Sequence, residues 1–417
     1  MRQSQLFTKT RKEAPKDEVA KNAQLLIRAG FIHKEMAGVY SALPLGLRVM
    51  NKIEQIVREE MNAIGGQEVS LTALQDKAVW ETTGRWSDEI VDNWFKTKLK
   101  NETELGLSFT HEEPLTALMK EYISSYRDLP SGVYQFQTKF RNETRAKSGV
   151  MRGREFLMKD LYSFSKNNDE HAAYYEKVKQ AYIKIFDRVG LGEKTYVTYA
   201  SGGTFSKYSH EFQTLTPAGE DTIHICDKCR VAVNEEIIKE QSTCPECGNA
   251  TLRAERAVEV GNIFNLGTRF SEAFDLSYLD EKGEKQLVVM GSYGIGIGRL
   301  MGAIVEVLAD EKGIAWPEAV SPMTVHLVAL NGKDDKVKTM TEGLYADWTK
   351  NGIQVLFDDR DVRPGEKFAD ADLIGIPHRV VVSDKTLEQN KFEYKGRTTA
   401  EVTMLGLSEL QAILNHV

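Results

Sequence analysis

Apolar residues recur at helical spacing through Val49, Ile53, Ile56, Val57, Met61 and Ile64, and Gly65-Gly66 closes the stripe. That pattern predicts a long amphipathic helix over 46–64. A shorter stripe of Val19, Ala23, Leu26 and Ile27 predicts a helix over 18–31 with a stop at Gly30. A strand through Val69 and Leu71 follows the long helix. Segments 133–141 and 154–164 read as two strands joined by a basic loop. Alternation puts Arg141 and Glu143 on one face if the first strand runs through them. Tyr174, Tyr175, Val178, Tyr182, Ile185 and Phe186 predict a helix over 169–189. Strands are expected at 257–265 and 286–291. A helix is then expected from about Gly294 to Asp310, with Leu300, Ala303, Ile304, Val307 and Leu308 turned inward.

The pattern changes after Ala315-Trp316-Pro317-Glu318-Ala319-Val320-Ser321-Pro322, whose two prolines mark a domain boundary. Beyond it, short apolar strands at 325–330, 354–357 and 379–382 are separated by helical stretches near 335–350 and 366–374. Strand and helix in alternation predict a parallel-type α/β domain.

A chain of 417 residues suggests roughly two to four domains. Hydrophobic content of 41% and charged content of 28% are those of an ordinary soluble protein. The start, Met1-Arg2-Gln3-Ser4-Gln5, lacks the apolar core of a signal peptide. No run reaches the ~20 apolar residues of a membrane span. A cytoplasmic protein without membrane contact is expected. The net charge of −7 does not advertise a nucleic-acid partner, but a local patch can bind phosphate on an acidic protein. Lys139, Arg141, Arg145, Lys147, Arg152, Arg154 and Lys159 form such a run, with only Glu143 and Glu155 interspersed. On charge patterning alone it also reads as a solvated hairpin.

All four cysteines fall in two C-x-x-C pairs, Cys226/Cys229 and Cys244/Cys247. In a reducing compartment that spacing points to four thiolate ligands for a structural Zn²⁺ rather than to disulfides.

Three separated stretches carry the candidate chemistry. They are Thr110-His111-Glu112-Glu113, the arginine-rich run from Phe140-Arg141-Asn142-Glu143 to Arg152-Gly153-Arg154-Glu155-Phe156, and Gly291-Ser292-Tyr293-Gly294-Ile295-Gly296-Ile297-Gly298-Arg299. Together they offer cations for a triphosphate, carboxylates for an amine, and glycines where a backbone must approach a ligand. Arginine suits phosphate because its planar fork meets two oxygens at once. Thr110-His111-Glu112-Glu113 also fits a helix N-cap followed by an acidic first turn. The glycine run is spaced G-x-G-x-G after Gly294, which is not the dinucleotide-binding spacing.

In order, spacing and wording these stretches resemble a class II aminoacyl-tRNA synthetase, and most closely the bacterial prolyl-tRNA synthetase family. The resemblance extends through Gly38-x-Tyr40, Leu43-Pro44-x-Gly46-Leu47-Arg48, Ser209-His210-Glu211-Phe212-Gln213 and Glu259-Val260-Gly261. It implies an α+β fold: an antiparallel-sheet catalytic domain in two parts, 1–225 and 255–318, followed by an α/β anticodon-binding domain over 323–417. A zinc-ribbon-like cysteine knuckle, 226–254, stands where most bacterial members insert a large editing domain. The resemblance further implies a homodimer built on the first motif, ATP with Mg²⁺ and proline as substrates, and tRNA(Pro) as acceptor. It assigns Arg141 to the α-phosphate and the amino-acid carboxylate, Glu143 to the adenine amine, and Arg299 to the γ-phosphate. Arg152 is a further triphosphate candidate. Thr110 and Glu112 are assigned to the proline amine, with Gly291, Ser292 and Gly294 beside them. In the C-terminal domain, Asp359, Arg360, Arg363 and Lys367 are the candidates for anticodon contact.

The chain departs from the family's wording at Thr72, Ala146, Asn262, Ser292 and Thr204-Phe205-Ser206-Lys207-Tyr208. A catalytically inactive synthetase-like regulatory or binding protein is the alternative reading. Retention of Arg141, Glu143 and Arg299 together argues against it.

Overall fold

The computed structural model describes residues 1–144, 146, 148–203, 207–332 and 334–415. It divides into two compact units. One holds residues 36–39 and 53–303, the other residues 1–35, 40–52 and 304–417.

Helix α1 (Pro44–Ala63) forms where the long stripe predicts it, and Val49, Ile53, Val57 and Met61 on that stripe are fully buried. Burial of each such side chain stabilises by about 1.5–3 kcal/mol, so the stripe fixes which face turns inward. Gly65, at a positive φ of 84°, ends the helix without the strain a Cβ would add. The strand that follows is β1 (Gly66–Glu68), three residues before the expected one. Val69 still donates its N–H to Tyr134 O, but Leu71 instead bonds a side chain, Gln135 Oε1.

The large sheet then takes in, in chain order, β2 (Ser131–Phe140), β3 (Glu155–Ser165), β4 (Thr195–Ser201), β5 (Tyr208–Leu215), β6 (Asp221–Cys226), β7 (Val231–Asn234), β8 (Arg253–Gly267) and β9 (Val289–Gly296). Its order is β5-β4-β7-β6-β8-β9-β3-β2-β1. The pairs at its centre, β2–β3, β3–β9 and β8–β9, are antiparallel. Helix α2 (Glu112–Met119) precedes β2, and α3 (Asn168–Arg188) joins β3 to β4. Tyr174, Val178, Tyr182, Ile185 and Phe186 of α3 are buried, and Tyr182 meets Phe212 of β5 at a centroid distance of 5.1 Å.

Two expectations change here. The glycine run from Gly291 to Gly296 is strand, not the start of a helix, and helix α4 begins only at Ile297 (Ile297–Leu308). The physical reason is close packing. A Cβ at Gly291 would stand 2.7 Å from His171 Cε1, so only a side-chain-free strand fits beneath α3. The cysteine segment is also not a separate ribbon. Strand β6 ends on Cys226, β7 pairs in parallel with β4, and β5 pairs with β8, so the five strands β5-β4-β7-β6-β8 close on themselves. Ile223, Ile225, Ala232 and Ala257 form the core of this ring.

In the other unit the short helix is Lys21–Arg28, narrower than the expected 18–31. The C-terminal sheet contains β10 (Val325–Leu330), β11 (Val355–Asp358), β12 (His378–Ser383), β13 (Phe392–Gly396) and β14 (Thr403–Leu405), in the order β11-β10-β12-β13-β14. The first three are parallel, as expected. The last two are antiparallel additions that short, charged segments did not announce. Helices α5 (Lys336–Lys350), α6 (Pro364–Ile374) and α7 (Leu407–Asn415) accompany them. Val337, Leu344 and Trp348 of α5 pack with Val325, Leu327 and Val380.

Candidate active site

The three stretches meet in the unit built on the large sheet. Arg141 follows the end of β2, held by its N–H on Arg154 O and by a bridge to Trp94. Its guanidinium lies 5.0 Å from the Phe109 ring and 5.4 Å from the Phe156 ring. Arg299 sits in the first turn of α4. It donates to Met151 O at 2.9 Å, Glu259 O at 2.9 Å and Glu259 Oε2 at 2.8 Å. An open cavity of about 250 Å³ lies between them, lined among others by Arg141, Glu143, Arg152, Glu220, Glu259 and Arg299.

The electrostatics of this cavity favour an anion. Burial first, and then the nearby Arg299 cation, push the Arg141 guanidinium below its ordinary range. A guanidinium held beside a second cation is stabilised when a polyanion enters next to it. The N-terminal turn of α4 adds its own preference for negative charge. Arg152 is already paired, with Glu143 at 3.0 Å and with Glu220, so a nucleotide reaching it must exchange those partners. Glu211, half-buried on β5, lies near Glu259, and desolvation first, then that neighbour's charge, push its carboxyl up to about 8. Asn262, one of the departures from the family's wording, donates to Glu259 Oε1 at 2.8 Å.

Beside this cavity lies a second group. Thr110 Oγ1 donates to Glu112 Oε2 at 2.5 Å, and Ser292 Oγ, on β9, donates to Glu112 Oε1 at 3.1 Å. Glu112 is close enough to act on the Arg141 charge. The helix N-cap is His111 rather than Thr110, and no side chain caps it, so Thr110 is free to serve its carboxylate. Gly291 and Gly294 stand on β9 opposite Ser163 and Asp160, and a Cβ at Gly294 would come within 3.0 Å of Asn262 Oδ1.

Several participants were not singled out in the sequence. Arg85 bridges Glu113 at 2.9 Å and Glu112 at 3.6 Å. Thr83 also donates to Glu113, whose carboxyl burial pushes up to about 7. Tyr162 and Asp160 lie beneath Thr110 and His111. Arg85 carries no local signal, since its partners lie 27 and 28 residues away.

The expected basic patch is only partly one. Lys139 and Lys159 are fully buried, the first on Asp160 and His111, the second on Tyr182 and Tyr293 O. Arg145, Lys147 and Thr204-Phe205-Ser206 lie outside the described residues.

The anticodon candidates separate in the same way. Lys367 is buried, with Nζ donating to Ala329 O at 2.7 Å and Asp358 O at 3.3 Å. It serves the interior of its domain and has no surface to offer a base. Arg360 clasps Asp358 through two bonds of 2.8 Å and pairs with Asp370. Asp359 accepts from Ser4 and Arg2. Arg363, at the N-cap of α6, is exposed.

The four cysteine sulfurs lie within 4.8 Å of one another, and no disulfide joins them. Each C-x-x-C turn is closed by a backbone bond, Arg230 N–H to Cys226 O and Gly248 N–H to Cys244 O. Cys226 Sγ and Cys247 Sγ are 3.7 Å apart, which matches the roughly 3.8 Å edge of a tetrahedron with ~2.3 Å zinc–sulfur bonds. The donor set therefore fits zinc.

Comparison with known proteins agrees with this geometry. The tRNA synthetase class II core domain (G, H, P, S and T) matches residues 95–308, and the anticodon binding domain matches residues 324–416. A proline–tRNA ligase of Caldicellulosiruptor saccharolyticus is 34% identical, covering 100% of this chain and 98% of the relative. One of Persephonella marina is 33% identical over 100% of both. Those alignments run over 566 and 567 positions, against 417 residues here, so the relatives carry sequence that this chain lacks. Among solved structures, the prolyl-tRNA synthetase of Cryptosporidium parvum with halofuginone and AMPPNP is similar in fold, with a TM-score of 0.80 at 18% identity. The match covers 95% of this chain and 76% of that one. The Giardia lamblia enzyme in complex with prolyl-adenylate gives a TM-score of 0.76 at 18% identity, over 93% and 74%. An α+β chain with a class II core, an anticodon binding domain and full-length relatives at this identity belongs to the proline–tRNA ligases, a family of class II aminoacyl-tRNA synthetases.

Proposed function

We propose that this proline–tRNA ligase forms prolyl-adenylate in the cavity between Arg141 and Arg299 and takes the proline amine at Thr110 and Glu112. The observation that carries the reading is the convergence of two opposed guanidiniums with a Thr110–Glu112–Ser292 cluster next to them. Activation is attack of the proline carboxylate on the α-phosphorus of ATP, with pyrophosphate leaving. Negative charge grows on the phosphoryl oxygens, and fixed guanidiniums stabilise it without reorganising. Arg141 meets the α-phosphate and the carboxylate, and Arg299 the γ-phosphate. Glu143 receives the adenine amine once Arg152 turns to the triphosphate. Mg²⁺ enters with ATP, and the crowded carboxyls of Glu211 and Glu259 are oxygen ligands suited to it. The carboxylate of Glu112, oriented by Thr110 and Ser292, takes the secondary ammonium of proline. The full-length likeness to proline–tRNA ligases favours an active enzyme over an inactive regulatory protein.

A structural zinc held by Cys226, Cys229, Cys244 and Cys247 belongs to this reading, as does a cytoplasmic site of action, where free thiols persist. So does a homodimer formed through the helix–strand segment that opens with α1. Transfer of proline goes to tRNA(Pro), whose anticodon meets the C-terminal domain near the exposed Arg363.

Glu112→Gln keeps the shape and removes the charge. A charge-assisted hydrogen bond contributes about 1.5–3 kcal/mol, so KM for proline should rise roughly 10- to 100-fold with KM for ATP nearly unchanged. ATP–pyrophosphate exchange titrated in each substrate measures this. Equal changes in both constants would reject the assignment of the amine to Glu112.

A further inference from the structure

Beneath the amine site lies an ion pair with almost no solvent contact. Lys139 is 0% exposed and Asp160 is 3% exposed, yet their charged atoms are 2.8 Å apart. Apolar side chains of similar volume would often stabilise such a position as well or better, so the pair calls for a reason beyond stability. Its hydrogen bonds supply one. Lys139 Nζ also donates to His111 Nδ1 at 2.6 Å. His111 Nε2 lies 3.0 Å from Thr72 O, a carbonyl, which can only accept. The imidazole therefore carries its hydrogen on Nε2 and offers its Nδ1 lone pair to the ammonium. The His111 backbone N–H donates to Tyr162 OH at 3.1 Å, and Tyr162 OH donates to Asp160 Oδ2 at 3.0 Å.

The circuit closes on itself. Asp160 Oδ2 also accepts from Gln135 Nε2 at 3.0 Å, and Gln135 Oε1 accepts the N–H of Leu71, the residue before Thr72. Lys139, His111, the 71–72 backbone, Gln135 and Asp160 thus form one ring of hydrogen bonds, with Tyr162 as a second path from Asp160 to His111. Every anchor converges on His111. The two residues flanking it, Thr110 and Glu112, are those that would hold the amine. Tyr162 OH is also 3.4 Å from Thr110 Oγ1.

We propose that Lys139, Asp160 and Tyr162 are positioning residues for the proline ammonium, acting through His111 to fix Thr110 and Glu112, and that they have no comparable part in binding ATP. The inference rests on the reading that Thr110 and Glu112 take the amine. A secondary ammonium has two N–H bonds at fixed angles, so its acceptors must be placed closely. A shift of about 1 Å in a positioning group can lower a rate on the order of 100-fold. The γ-phosphate contact at Arg299 depends on none of these bonds.

Tyr162→Phe is the decisive variant, because it removes one hydroxyl and keeps the ring that packs in the core. KM for proline in ATP–pyrophosphate exchange should rise about ten-fold, the loss of one well-made buried bond, while KM for ATP stays within about two-fold. Lys139→Met should show the same selectivity with a larger factor. If that variant does not fold, as judged by circular dichroism, Tyr162→Phe alone decides. Equal increases in both constants, a fall in kcat with both constants unchanged, or no effect would overturn the proposal. Glu112→Gln run in parallel separates the two levels. No change in KM for proline there defeats the amine assignment itself. A rise there without one in Tyr162→Phe defeats only the positioning role.

Discussion

Arg141→Ala and Arg299→Ala are each expected to lower proline-dependent ATP–pyrophosphate exchange by about two to three orders of magnitude, with the protein still folded. The size follows from electrostatic catalysis. Removing one preorganised donor from a site of developing oxyanion charge costs roughly 2.7–4 kcal/mol in the transition state. Arg141 should show the larger effect of the two, because its Nε lies buried with no hydrogen-bond partner among the described residues. Among the described residues, the hydrogen bond its side chain makes is a long one, 3.4 Å to Phe109 O. Arg299 also holds Glu259 and Met151 O, so part of its effect is structural. Arg299→Lys keeps a cation but loses the fork, and should recover little activity. Exchange near the wild-type rate in Arg141→Ala would reject its role at the α-phosphate.

Protein purified without chelator should carry one zinc per chain, and Cys244→Ser should lose it. Binding of a structural zinc contributes on the order of 10 kcal/mol to the segment that holds it. Here that segment is continuous with β6 and β7, which complete the five-strand ring. Loss of metal should therefore raise hydrogen exchange in residues 221–234 by several orders of magnitude, not merely in the cysteine turns. Elemental analysis measures occupancy, and exchange mass spectrometry measures the ring. Less than half an equivalent of zinc in the wild-type protein would contradict the assignment. Unchanged protection in metal-free protein would show that the ring stands without it.

The sequence made some levels of this molecule legible and concealed others. Long helices such as α1 and α3 were readable because one face repeats through several turns. Arg141 and Arg299, which line one cavity, were singled out because family wording survives around them. Lys139 and Lys159 looked like surface charge, since the buried partners that explain them come from other elements. Lys367 misled for the same reason, because Asp358 and Ala329 receive its ammonium inside the domain. The pattern predicted a helix from about Gly294, but the strand that includes Gly291 runs on through Gly296 and the helix begins only at Ile297. Ser292, a departure from the family's wording, proves to be a hydrogen-bond donor to Glu112. Local pattern determines the elements, and what a polar residue faces is set by tertiary contacts that no window of sequence contains.

The central claim is that this site activates proline, and amino-acid-dependent ATP–pyrophosphate exchange with each of the twenty amino acids in turn tests it most directly. Proline should give the highest kcat/KM. Alanine, smaller and able to enter the same pocket, should follow at a disadvantage corresponding to about 1–3 kcal/mol or more. Exchange driven best by threonine or another amino acid, or by none in a protein that still binds ATP, would contradict the account.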